Sequence, residues 1–144
     1  MPEAYDKYLF HGPKLRGINK VRSCNKDGLA ANVEDRGQAL LNHPQEKPIT
    51  NPLFLDCALQ SGLLWSGAER GLCSLPMFGG SYRQYVDKFP AQAQILLYPK
   101  EVGESQMCGD VFVVDEEGRV LAQWQDVRWV MSPTLAQSFR SNKL

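Results

Sequence analysis

Histidine is scarce in this chain: His11 and His43 are the only two. Their count and spacing argue against a zinc site. Cysteine offers no alternative. Cys24, Cys57, Cys73 and Cys108 lie far apart and form no Cys-x-x-Cys pair, so reduced thiols are the expected state. Neither sign of charge is in excess. Sixteen Lys and Arg balance sixteen Asp and Glu, whereas a surface that tracks phosphates needs a basic surplus; nucleic acid is not an expected partner. No run approaches the roughly 18 uninterrupted apolar residues of a membrane helix. Met1-Pro2-Glu3-Ala4-Tyr5-Asp6 lacks the basic-then-apolar order of a secretory signal. The expectation is a cytoplasmic protein without a membrane partner, and an excised domain would read the same way.

What is present suits one ordinary globular domain of 144 residues, 43% hydrophobic and 22% charged. Such a length buries a core without disulfides. Residues 1–13 read as an irregular tail closed by the breaker His11-Gly12-Pro13. Lys14–Cys24 alternates Leu15, Ile18, Val21 and Cys24 with polar residues and reads as a strand, with Gly17 a candidate bulge. Asn25-Lys26-Asp27-Gly28 reads as a hairpin turn and Leu29–Val33 as the returning strand. Residues 34–50 are polar and broken by Gly37, Pro44 and Pro48, with a turn of helix at Gln38–Leu41.

Asn51-Pro52 is a strong helix start, an N-cap followed by proline at the first helical position. The helix is expected to run from Pro52 to about Arg70 and to stop at Gly71. It is apolar almost all round, which marks a buried helix. Strands are expected at Tyr82–Val86, Ala91–Tyr98, Met107–Asp115 and Arg119–Met131, with Asp115-Glu116-Glu117-Gly118 turning between the last two. A short helix is expected after Ser132, in a tail at 132–144. The order is two strands, one buried helix, then about four antiparallel strands. Only a curved antiparallel sheet is available to cover that helix. The expected class is therefore α+β, a hot-dog fold filling residues 1–144 as one domain.

Two polar residues interrupt the helix. Asp56 and Gln60 lie four apart and share one face. A carboxylate buried without a partner is expensive and tends toward its protonated form, which is what a general acid requires. Gln60 would fix its rotamer. The competing reading places Asp56 in the first helical turn, where it would complement the helix dipole.

The chain also resembles a known family. Leu9-Phe10-His11-Gly12-Pro13-Lys14-Leu15-Arg16-Gly17-Ile18 is similar to the Gly-Pro motif opening the second, C-terminal half of dehydratase domains in polyketide synthases and polyunsaturated fatty acid synthases. Leu55-Asp56-Cys57-Ala58-Leu59-Gln60 resembles their Asp-x-x-x-Gln/His motif. Gly62-Leu63-Leu64-Trp65, Leu75-Pro76, Gly109-Asp110-Val111 and Glu117-Gly118-Arg119-Val120-Leu121-Ala122 follow in the family's order. The likeness covers about residues 8–131.

The resemblance implies a double hot dog acting on β-hydroxyacyl thioesters carried on the phosphopantetheine of an acyl carrier protein. No cofactor or metal is bound directly. The second half supplies an aspartate that protonates the departing hydroxyl; the first supplies a histidine base from a His-x-x-x-Gly-x-x-x-x-Pro motif. Carried over, Asp56 is the acid and Gln60 its orienting partner, while His11, Gly12, Pro13 and Trp65 are candidate substrate-binding residues. Trp65 also reads as core. Tyr82, Arg83 and Tyr85 are candidates to touch the phosphopantetheine arm. His43 does not match the first-half motif, because Lys47 stands where it needs glycine. His11 stands where many relatives carry tyrosine. The expected enzyme, a hydro-lyase inactive alone, would need a histidine-bearing hot-dog partner. The alternatives are a self-pairing, non-catalytic acyl-binding or scaffolding hot dog, and an acyl thioesterase.

Overall fold

The computed structural model describes residues 2–36 and 50–141. His43 and the turn expected at Gln38–Leu41 lie outside the described residues. Helix α1 (Pro2–Lys7) and a 3-10 turn (Pro13–Leu15) precede strands β1 (Ile18–Asn25) and β2 (Gly28–Glu34). Helix α2 (Pro52–Arg70) follows, then β3 (Cys73–Phe78), β4 (Ser81–Gln84), β5 (Gln92–Val102), β6 (Gln106–Val114), β7 (Val120–Ser132) and α3 (Leu135–Ser141). The strands form one antiparallel sheet in the order β1-β2-β5-β6-β7-β3, with β4 also paired to β7.

Helix α2 has the limits its punctuation dictates. The Asn51 side chain accepts the Phe54 amide at 3.0 Å, and Pro52 occupies a position where a missing N–H costs nothing. At the other end Gly71 adopts the left-handed conformation (φ 66°) and its amide reaches the Gly67 carbonyl at 3.2 Å. Between these limits the helix packs against β1, β2, β3, β5, β6 and β7. Each large apolar side chain freed of water contributes roughly 1.5–3 kcal/mol, which is why a helix apolar on nearly every face sits inside the curl of the sheet. Its buried hydroxyls are satisfied locally: Ser61 donates to the Ala58 carbonyl, and Ser66 reaches Ser74 on β3 at 2.8 Å. This is the hot-dog arrangement expected from the element order.

Several local expectations need correction. Residues 1–13 are not irregular throughout, because Tyr5 and Leu9 are each only 3% exposed and anchor α1 to the core. Just beyond α1, Tyr8 packs on Gly67 of α2. The first strand begins at Ile18 rather than Lys14, since Pro13 has no N–H for a ladder and opens the 3-10 turn instead. The register shifts of β1 fall after Ile18 and Val21, so Gly17 is not the bulge; a Cβ there would stand 2.6 Å from the Cys57 sulfur. Strand β3 is an additional element. It contains Pro76, which is compatible with a strand at the end of the sheet order. The turn at Asp115–Gly118 forms as expected, with Asp115 accepting the Glu117 and Arg119 amides and Gly118 at φ 83°.

Gly62 marks the tightest contact between helix and sheet. The Trp129 ring lies against it while its indole N–H donates to the Leu59 carbonyl at 3.0 Å. A Cβ on residue 62 would stand 2.1 Å from a Trp129 ring carbon. Gly62→Ala should therefore lower stability by about 1–3 kcal/mol through overpacking, although alanine is the better helix former. Urea unfolding checks this, and a stabilised variant would contradict it.

Candidate active site

Gln60 is 1% exposed, and both ends of its amide are engaged. Its Nε2 donates to the Leu15 carbonyl at 2.8 Å and to Asp56 Oδ2 at 2.6 Å. Its Oε1 accepts the Tyr5 hydroxyl at 3.0 Å, and that hydroxyl accepts the Ile18 amide at 3.0 Å. The amide thus joins α1, the 3-10 turn and α2. The Gly12-Pro13 turn carries Leu15 to this point, with the Leu15 amide returning to the Gly12 carbonyl at 3.0 Å.

The same turn brings His11 to Asp56, with Nε2 and Oδ2 3.4 Å apart. The imidazole side chain is 8% exposed and stacks on Phe10, ring centroids 4.4 Å apart. Phe10 in turn packs on Phe139 of α3. Arg16 Nε donates to the His11 carbonyl at 3.2 Å, and its guanidinium lies 3.6 Å from Asp6 and over the Tyr5 ring. Burial holds the His11 imidazole below its usual value, while the Asp56 charge pulls the other way. Burial, with Cys57 and Asp56 nearby, pushes the Tyr5 phenol upward, so it remains a neutral donor.

Asp56 is not the unpaired buried carboxylate expected from its neighbours in sequence. Its side chain is 28% exposed and meets two polar partners. Nor does it sit in the first helical turn, which holds no acid; Asn51 provides the cap there. Oδ2 is the engaged oxygen, and among the described residues no hydrogen bond reaches Oδ1.

The remaining candidates separate cleanly. His11, Gly12 and Pro13 gather at the Asp56–Gln60 pair. Trp65 does not: nine residues along α2, about 13 Å of helix rise, it is buried and its indole donates to the Asn25 carbonyl at 2.8 Å, tying down the β1–β2 hairpin. Tyr82, Arg83 and Tyr85 are exposed around β4, where the Tyr82 ring packs on Trp124. Cys57 is buried against Gly17 and its thiol is pushed up to about 12, chiefly by burial, so it is no nucleophile. Among the described residues no cluster of three or more His, Cys, Asp or Glu could hold a metal ion, and no helix is long and apolar enough to cross a membrane. Sequence reasoning missed Tyr5 and the Leu15 carbonyl. A signal for Tyr5 existed, since Ala4, Tyr5, Tyr8 and Leu9 have helical spacing.

A curled antiparallel sheet around one helix, with an acid–amide pair on that helix, defines the class: a hot-dog domain. Residues 2–139 match the family described as polyketide synthase dehydratase N-terminal domain. The chain belongs to that family. It is also 37% identical over 76 residues to a polyunsaturated fatty acid synthase protein from Thraustochytrium sp., a match spanning 50% of this chain and 3% of that protein. The dehydratase domain of RzxB from Pseudomonas fluorescens superposes with a TM-score of 0.70 at 18% identity, covering 89% of this chain and 47% of that one. A chain of the dehydratase heterocomplex ApeI:P from Xenorhabdus doucetiae gives 0.68 at 16% identity, covering 96% and 97%. The chain thus spans about half of the RzxB dehydratase domain and nearly all of the matched ApeI:P chain. The family description says N-terminal, whereas the Asp56-x-x-x-Gln60 pair is what resembles the second half.

Tyr5→Phe should destabilise the fold by about 1–3 kcal/mol, because it strips a buried partner from Gln60 Oε1 and from the Ile18 amide. Denaturant unfolding measures the effect. A change below about 0.5 kcal/mol would mean that the hydroxyl is dispensable to the network.

Proposed function

We propose that this domain supplies the acid side of a dehydratase acting on β-hydroxyacyl thioesters, presented on the phosphopantetheine arm of a cytoplasmic acyl carrier protein. In this reading Asp56 Oδ1 delivers its proton to the β-oxygen as the Cβ–O bond breaks and its electrons leave with water. A histidine on a second hot dog removes the α-proton, and those C–H electrons form the new double bond. Gln60 holds the carboxyl group by its other oxygen, so the reacting oxygen keeps its direction. These roles place the domain as the second half of a double hot dog, or as one member of a pair.

The observation that carries the reading is the anchored carboxyl group of Asp56. One oxygen is fixed at 2.6 Å by an amide that is itself tied at both ends, while the other makes no hydrogen bond among the described residues. Membership of the dehydratase family and the fold likeness to a chain of a dehydratase heterocomplex support it.

The test is dehydration of a β-hydroxyacyl–acyl carrier protein by this chain assembled with a histidine-bearing hot dog. Asp56→Asn should reduce kcat by about 10²–10⁴-fold, the usual worth of general acid–base catalysis, with the fold retained by circular dichroism. An unchanged rate would refute the assignment. Thioester hydrolysis in place of dehydration would favour a thioesterase.

A further inference from the structure

His11 is a titratable side chain 3.4 Å from the Asp56 carboxyl group to which the reading above gives no role. We propose that His11 is a positioning residue for Asp56: its Nε2–H and the Gln60 amide converge on Oδ2 and leave Oδ1 to carry the transferred proton. The inference rests on the acid role proposed for Asp56 and deepens it.

Geometry fixes the direction of this contact. Oδ2 already accepts from Gln60 at 2.6 Å. A bare Nε2 facing it at 3.4 Å would set one lone pair against another. The opposite nitrogen, Nδ1, is buried with no hydrogen-bond partner among the described residues, so a proton there would be a buried donor without an acceptor. Both facts select the tautomer with the proton on Nε2. The ring has little freedom, being stacked on Phe10 and tethered through its own carbonyl by Arg16.

The chemistry follows from charge. When Oδ1 gives its proton to the β-oxygen, the O–H electrons stay on the carboxylate. Two N–H donors, one hydrogen-bonded to Oδ2 and one 3.4 Å from it, then face an anion rather than a neutral acid, and such interactions strengthen as charge develops. The carboxylate regains a proton from water between turnovers, so no co-reactant is needed.

Acid reverses the arrangement. The charged or titratable groups around His11 are Asp56 on α2, Tyr5 on α1, and Arg16 with its partner Asp6. The phenol is committed to Gln60, and the guanidinium to the His11 carbonyl, Asp6 and the Tyr5 ring. Asp56 is the group that acts on the imidazole, and it opposes the effect of burial. Below its titration point His11 becomes a cation beside Asp56, favours the carboxylate, and removes the proton that the acid must deliver.

Two experiments test this. In the first, kcat is followed against pH in the assembled enzyme. The wild type should lose rate in acid with two titrating groups, His11 and the partner's base, giving a slope near two in log kcat. His11→Gln keeps a donor that does not titrate, so it should hold most of the neutral-pH rate while the slope drops to one. His11→Phe should lose about tenfold at neutral pH, where the wild-type imidazole is a neutral donor, and should also fall with a slope of one in acid, with KM unchanged. In the second, the imidazoles of the free chain are titrated by NMR. His43 is the only other histidine and serves as the reference. Asp56→Asn should move the His11 titration downward and leave His43 in place. An unmoved His11, or His11→Gln behaving like His11→Phe throughout, would overturn the proposal. A coupled His11 in a protein that never dehydrates would instead overturn the acid role on which it rests.

Discussion

Gln60 is a primary amide enclosed among apolar side chains, and a buried amide must find internal partners for its oxygen and its hydrogens. Those partners come from separate parts of the chain: the Tyr5 hydroxyl from α1, the Leu15 carbonyl from the 3-10 turn, and Asp56 from its own helix. Placing any of them wrongly strands a polar group in the core. This requirement couples the N-terminal residues, which would otherwise pack only by shape, to the carboxyl group on α2.

The sheet and helix provide the frame in which that requirement can be met. Helix α2 is held by Trp129 over Gly62, by Trp65 on the β1–β2 hairpin and by Ser66 on β3. These contacts fix its position and rotation along most of its length. Asp56 and Gln60 then face a direction set by the whole core, and α1 with the Gly12-Pro13 turn closes over them. Pro13 starts the turn that delivers two things at once, the Leu15 carbonyl to Gln60 and the His11 ring to Asp56.

Much of this is legible in the sequence, for identifiable reasons. Helix α2 announces itself through Asn51-Pro52 and Gly71, and its all-round apolar character fixes its place under the sheet. Asp56 and Gln60 stand out because polar residues are few there. Strand β3 is harder to read because Pro76 argues against a ladder, and only its terminal place in the sheet resolves the conflict. Helix α1 is six residues long, too short to be stable on local propensity alone; it exists because Tyr5 and Leu9 are buried. The approach of His11 to Asp56 is not legible in local spacing, since nothing there joins a loop residue to a helix far along the chain; the family resemblance alone places the two at one site, and it does not give their contact. The expectation of a fully buried acid fails in part for the same reason: beside Gln60 four residues on, Asp56 meets His11 from far back in the sequence, and its side chain is 28% exposed.

The central claim is that this domain holds the acid of a dehydration site and takes its base from elsewhere. His11, though close to Asp56, engages it through Nε2 and has Nδ1 buried, which suits a positioning role rather than attack on an α-proton. The direct measurement is the formation of enoyl product from a β-hydroxyacyl–acyl carrier protein by this chain alone, by a histidine-bearing hot dog of the family alone, and by the two mixed. The account predicts product only from the mixture, saturating as the two reach equal amounts. Turnover by this chain alone would show that it contains its own base and contradict the account.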